Sequence, residues 1–68
     1  MKNVNLNFEA VEQNRREDLV AVAEVKASNE QKAECMLDVY LEDNYPNYGR
    51  EKSHFEENGI YYFNVIKN

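Results

Sequence analysis

The side chains that could do chemistry in this chain are few and far apart. It has one histidine, His54, and one cysteine, Cys35. Neither has a nucleophile, base or orienting group nearby at a useful spacing. Nucleophilic and general-base mechanisms need at least two groups held within reach and oriented by a third, so the sequence argues against an enzyme and offers no catalytic residue. Glu56 and Glu57 are adjacent, so on a strand they point to opposite faces and cannot form a carboxylate dyad. A Gly-rich phosphate loop is missing, and no Cys/His cluster has zinc spacing, so neither a cofactor nor a metal is expected. Cys35 reads as a small, partly buried thiol at the boundary of a helical stripe, and His54 as a surface or boundary histidine.

A different pattern is more specific. Glu30, Glu34, Asp38 and Glu42 recur at every fourth position, and on a helix rising about 1.5 Å per residue successive carboxylates stand about 6 Å apart. Like charges at this spacing disfavour an isolated helix by a few tenths of a kcal/mol per pair, a cost that a basic partner would reverse. Such a row could imitate a nucleic-acid backbone in a basic groove; the plainer alternative is a solvated helix face. Arg15-Arg16 is the sole basic cluster, and it reads first as a loop balanced by Glu17 and Asp18 rather than as a phosphate contact.

The elements that must carry these residues follow from periodicity. From Asn3 to Ala10 apolar and polar residues alternate, with Val4, Leu6, Phe8 and Ala10 on one side, which predicts a half-buried strand. The polar run Gln13-Asn14-Arg15-Arg16-Glu17-Asp18 is a connection. Leu19 to Ala27 is apolar on both faces, with Leu19, Ala21, Ala23, Val25 and Ala27 on one and Val20 and Val22 with Glu24 and Lys26 on the other. An interior strand follows, and the alanines let a helix approach its side of the sheet. Ser28-Asn29-Glu30-Gln31 reads as a capping box with Ser28 as the cap. The predicted helix runs from Asn29 to about Asp43, buries Ala33, Met36, Leu37, Tyr40 and Leu41, and closes at Asn44 in a left-handed conformation ahead of Tyr45-Pro46.

In the loop Asn44 to Gly49, Tyr45 and Tyr48 either cover the edge of the core or serve as binding residues. Asn58-Gly59 predicts a two-residue type I′ hairpin turn. Its register sets Glu57 opposite Ile60, Glu56 opposite Tyr61, Phe55 opposite Tyr62 and His54 opposite Phe63. One side then holds Phe55, Ile60, Tyr62 and Ile66, and the other His54, Tyr61, Phe63 and Val65. A single helix can cover only one of them, and an uncovered apolar face marks a partner or a homodimer interface.

Length and charge bound the rest. Sixty-eight residues make one domain, 1–68, near the lower limit for a core without metals or disulfides. One cysteine cannot form an internal disulfide, which points to a reducing compartment, the cytoplasm. The N-terminus lacks the apolar run of a signal peptide, and no stretch is long enough to span a membrane. A formal charge of -5 repels phosphate backbones and anionic membranes, so the expected partner is a larger protein with a basic surface. Nucleic acid is disfavoured.

The order strand, polar loop, strand, Val25-Lys26-Ala27-Ser28-Asn29-Glu30-Gln31-Lys32-Ala33, helix, hairpin resembles that of small phage-encoded inhibitor proteins of the anti-CRISPR type. The resemblance carries no functional residue across. It implies a short protein of the host-cell cytoplasm that evades host defence by occupying a surface of a larger host protein.

The expectations are therefore an α+β fold of ββαββ order, an antiparallel sheet with one helix packed on one face, and a non-enzymatic protein-protein interaction module, an inhibitor of phage or mobile-element origin. The contact would be the acidic helix face of Glu30, Glu34, Asp38 and Glu42, or aromatic residues Tyr45, Tyr48, Tyr61 and Phe63. The alternative is a homo-oligomeric structural or regulatory accessory protein, and a nucleic-acid binder ranks behind both.

Overall fold

A computed structural model of the chain describes residues 3–11 and 16–68. Four strands and one α-helix are present among them: β1 (Val4–Asn7), β2 (Leu19–Lys26), α1 (Glu30–Asn44), β3 (Tyr48–Glu57) and β4 (Ile60–Lys67). The sheet has the order β1-β2-β4-β3 with every neighbouring pair antiparallel. The expected α+β, ββαββ architecture is the one observed, with α1 carrying the chain across β4 to the far edge.

Between α1 and the sheet lies a core of nine buried apolar residues: Val4, Ala21, Ala23, Val25, Ala33, Leu37, Leu41, Phe63 and Val65. The cross-strand pairs Ala23–Phe63 and Ala21–Val65 show how it is built. Small side chains on β2 stand beside large ones on β4, so the helix can seat Ala33, Leu37 and Leu41 close to the sheet. Met36 and Tyr40 flank that stripe, half-buried.

Both helix ends differ by a residue or so from the sequence reading. The cap is Asn29 rather than Ser28: its backbone is extended at φ -157°, and its side-chain oxygen accepts the Lys32 amide at 2.8 Å. Asparagine caps as well as serine does, and this choice puts Glu30 in the first turn, where the helix dipole favours an acid. At the other end Asn44 remains helical and donates its side-chain amide to the Tyr40 carbonyl at 2.9 Å. Tyr45, held out of helical geometry by Pro46, donates its N–H to the Leu41 carbonyl at 2.7 Å. Among the described residues, positive φ occurs only at Asn58 (54°) and Gly59 (81°), as the predicted I′ turn requires.

Three strand assignments are corrected. β1 ends at Asn7 rather than Ala10, because the Asn7 side chain accepts the amides of Glu9 and Ala10 at 3.1 and 3.2 Å and starts a short 3-10 turn at Glu9–Val11. A bulge between Leu19 and Ala21 turns Val20 against the core and leaves Leu19 opposite Ile66 on the other face. β3 begins at Tyr48, not Glu51. Its register with β4 slips twice, between Arg50 and Ser53 and again between Ser53 and Phe55.

Candidate interaction surfaces

The two slips decide where β3 sends its side chains. The pairs Glu57–Ile60, Glu56–Tyr61 and Phe55–Tyr62 form as the hairpin turn predicts, but Ser53 rather than His54 stands opposite Phe63, and Arg50 stands opposite Val65. His54 is the extra residue of a bulge and is exposed. Arg50 shares the core side with Val65 and there meets the acidic row of α1.

Arg50 Nε donates to Asp38 Oδ1 at 2.8 Å and Nη2 to Asp38 Oδ2 at 3.1 Å, while Nη1 lies 3.9 Å from Glu34 Oε2. The guanidinium carbon also lies 5.8 Å from the centroid of the Phe63 ring. The hydrogen bond to Asp38 holds the Arg50 pKa above its ordinary value. Two of the four carboxylates in the row thus fasten the helix to an edge strand. Glu30 and Glu42, at its ends, are exposed. Sequence reasoning missed Arg50 because the run Arg50-Glu51-Lys52 looks like a solvated charge pattern; its role depends on a register that the bulges set.

The aromatic candidates divide. Tyr45 and Tyr48 stack at 5.4 Å between centroids with planes 6° apart, Tyr40 lies 6.3 Å from Tyr45, and Phe8 meets Tyr45 edge-on at 6.0 Å. Tyr45 and Tyr48 are half-buried against the core, so the reading as covers of the core edge fits them. Tyr61 also packs against the core from the sheet. Phe63 is fully buried beneath the helix, and as a partner-contact residue it is corrected: it has no surface to offer.

The face of the sheet away from α1 is the opposite case. Alternation from the buried Ala21, Ala23, Val25, Phe63 and Val65 puts Val22, Ile60, Tyr62 and Ile66 there, and Phe55 joins them at 5.4 Å from Tyr62. With Leu19 they make an apolar surface on which Phe55 is 53% exposed. The same alternation puts Glu24 opposite Tyr62 and Asn64 opposite Val22 on this face, so polar side chains interrupt the apolar ones, with Lys26 and Glu57 flanking Ile60 at the hairpin end.

A charged cluster ties one end of this face together. Arg16 donates from Nε and Nη2 to the two oxygens of Asp18 at 3.1 and 2.9 Å, and from Nη1 and Nη2 to those of Glu51 at 2.9 Å each. The Asn64 side chain donates to Glu51 Oε1 at 3.2 Å. Hydrogen bonds from Arg16, and for Glu51 also from Asn64, hold the Asp18 and Glu51 carboxyls below their ordinary pKa values, and the two acids raise that of Arg16. The expected balance with Asp18 is present, Glu51 completes it, and Arg15 lies outside the described residues.

Cys35 is exposed on α1, not partly buried as its boundary position suggested. Among the described residues no group of three or more His, Cys, Asp or Glu could hold a metal ion, and no helix is long and apolar enough to cross a membrane. Comparison with protein-family models, with curated proteins and with solved structures yields no match.

Proposed function

We propose that this chain is a non-enzymatic protein-binding module that docks through the helix-free face of its sheet onto a larger protein. The observation that carries this reading is the surface of Leu19, Val22, Phe55, Ile60, Tyr62 and Ile66. A chain this small has few large apolar side chains to place, and it sets these on the side that α1 does not cover. Solvent-facing apolar side chains grouped with polar ones, here Glu24 and Asn64, mark an interaction site. Glu24, Glu57, Asp18 and Glu51 outnumber Lys26 and Arg16 within and beside it, and the chain as a whole is acidic. The matching surface carries apolar groups interspersed with basic ones. Occupying such a surface is the mode of action expected of the small phage-encoded inhibitors that the sequence resembles.

The test is affinity capture from host lysate with the wild-type chain and two charge variants. Tyr62→Lys puts a cation at the middle of the face, where truncating a central aromatic commonly costs about 2 kcal/mol or more, and should lose the captured protein. The double variant Glu30→Lys and Glu42→Lys, which reverses the exposed ends of the helical row and leaves the Arg50 contacts intact, should keep it. The opposite result would assign binding to the helix and refute the sheet face.

A further inference from the structure

We infer that two copies of the chain pair edge to edge through β1, forming one continuous sheet about a two-fold axis at Asn5. The Lys26 amide donates to the Asn3 carbonyl at 2.9 Å, and the register runs on through Asn5–Glu24 and Asn7–Val22. In an antiparallel ladder, residues alternate between pairing with the neighbour and facing away from it. Asn3, Asn5 and Asn7 therefore spend their backbone groups on β2. Val4 and Leu6 turn an N–H and a C=O each toward the free edge.

The two edges of the sheet are protected very differently. β3 carries Arg50, Glu51, Lys52, His54, Glu56 and Glu57 and two register slips, the charges and bulges that keep an edge from pairing. β1 reads Val-Asn-Leu-Asn, with no charge, proline or bulge.

A second copy is the occupant that fits. Each chain has a formal charge of -5, so two copies repel except where local charge is absent, and β1 is the uncharged edge. The segment is also self-complementary. With Asn5 opposite Asn5 of the partner subunit, Val4 faces Leu6 of the partner subunit and Leu6 faces Val4 of the partner subunit, so the outward backbone groups of both strands meet. Residues opposite one another share a face. The Asn5 amides then meet on the helix-free side, and the apolar pairs fall on the helix side. There, between β1 and α1, lies a groove of about 420 Å³ lined by Val4, Met36, Val39 and Tyr40, with Asp43 as its charged residue. Val39, 54% exposed, is the large apolar residue on α1 that the core leaves out, and the second copy covers that side.

Asn5 is exposed, so it can be changed without touching the core. Sedimentation equilibrium of the wild type should show a mass rising with concentration toward twice 8.0 kDa. Asn5→Lys and Asn5→Asp should each remain at the single-chain mass, because like charges would meet across the axis, and mixing the two should restore the dimer. In a Cys35→Ser background, Asn5→Cys should oxidise to a disulfide-linked dimer, since directly opposed strand residues lie within disulfide reach. Tyr62→Lys should leave the dimer constant unchanged, which separates this proposal from the sheet-face docking. A wild type that stays at single-chain mass up to about 1 mM, the weak end of specific association, would overturn the pairing. So would a dimer lost by Tyr62→Lys and kept by Asn5→Lys, which would put the second copy on the sheet face instead.

Discussion

Replacing Arg50 should destabilise the fold by about 1–2 kcal/mol, a large effect for a surface-edge arginine. Its side chain is 22% exposed and grips Asp38, 54% exposed, in a fork with Glu34 at longer range. An ion pair this open to water contributes at the upper part of the exposed range, about 0.5–1 kcal/mol. The guanidinium over Phe63 adds about 0.5–1 kcal/mol, and its removal leaves Glu34 and Asp38 repelling each other along the helix by a few tenths of a kcal/mol. For a domain of this size each kcal/mol moves the midpoint by roughly 4–8 °C. Arg50→Ala should therefore melt about 4–16 °C below wild type. Arg50→Met, which keeps an apolar stem over Phe63, should recover part of that loss. A double-mutant cycle with Asp38→Ala, read by urea unfolding, should return a coupling of about 0.5–1 kcal/mol that shrinks at 1 M salt. A coupling below about 0.2 kcal/mol, together with an Arg50→Met variant as stable as wild type, would refute the claim that this ion pair holds the helix to β3.

The cap and the charged cluster each give a further outcome. Asn29→Ala removes the acceptor for the Lys32 amide and should cost about 1 kcal/mol in urea unfolding, whereas Ser28→Ala should change stability by less than about 0.5 kcal/mol. Asp18 and Glu51 have folded pKa values depressed below their ordinary 3.8 and 4.5, so the unfolded chain binds more protons, and the stability they contribute is present above those values and lost as pH falls through the folded ones. Stability measured from pH 7 to pH 2 should drop below about pH 4.5, and Glu51→Gln should flatten that part of the profile.

How far the sequence could be read depended on whether a residue's role was local. The hairpin turn at Asn58-Gly59, the helical stripe from Ala33 to Leu41 and the alanines beneath it all follow from spacing and residue type, and the structure bears them out. The short β1 was half visible. Asparagine can accept the amides that follow it, yet the run from Val4 to Ala10 alternates so evenly that a longer strand was the stronger reading. The bulges had no such signal. Val20 and Leu19 are both apolar, so exchanging their faces changes nothing in the pattern, and His54 fits a regular strand as well as a bulge. The candidate surface shared this fate. Alternation left two apolar sets on β4, and which one faced outward was settled by the side on which α1 packs.

The slips in β3 also explain why neighbouring residues serve opposite faces. Continued without a bulge from the Glu57–Ile60 pair, the register would set Arg50 opposite Lys67. Two slips of one residue each return Arg50 to the same face but move it two positions along β4, to Val65, about 6–7 Å nearer the hairpin. There it reaches Asp38 and Phe63 rather than a lysine. Glu51, the next residue, points to the other face and meets Arg16 and Asn64. One edge strand thus grips α1 on one side and, on the other, the segment that leads into β2. The bulges that set this clamp are also of the kind that discourages an edge strand from pairing, and Arg50 and Glu51 on that edge are used to hold the fold together. The two proposed contacts accordingly use the uncharged strand at the opposite edge and the helix-free face between them.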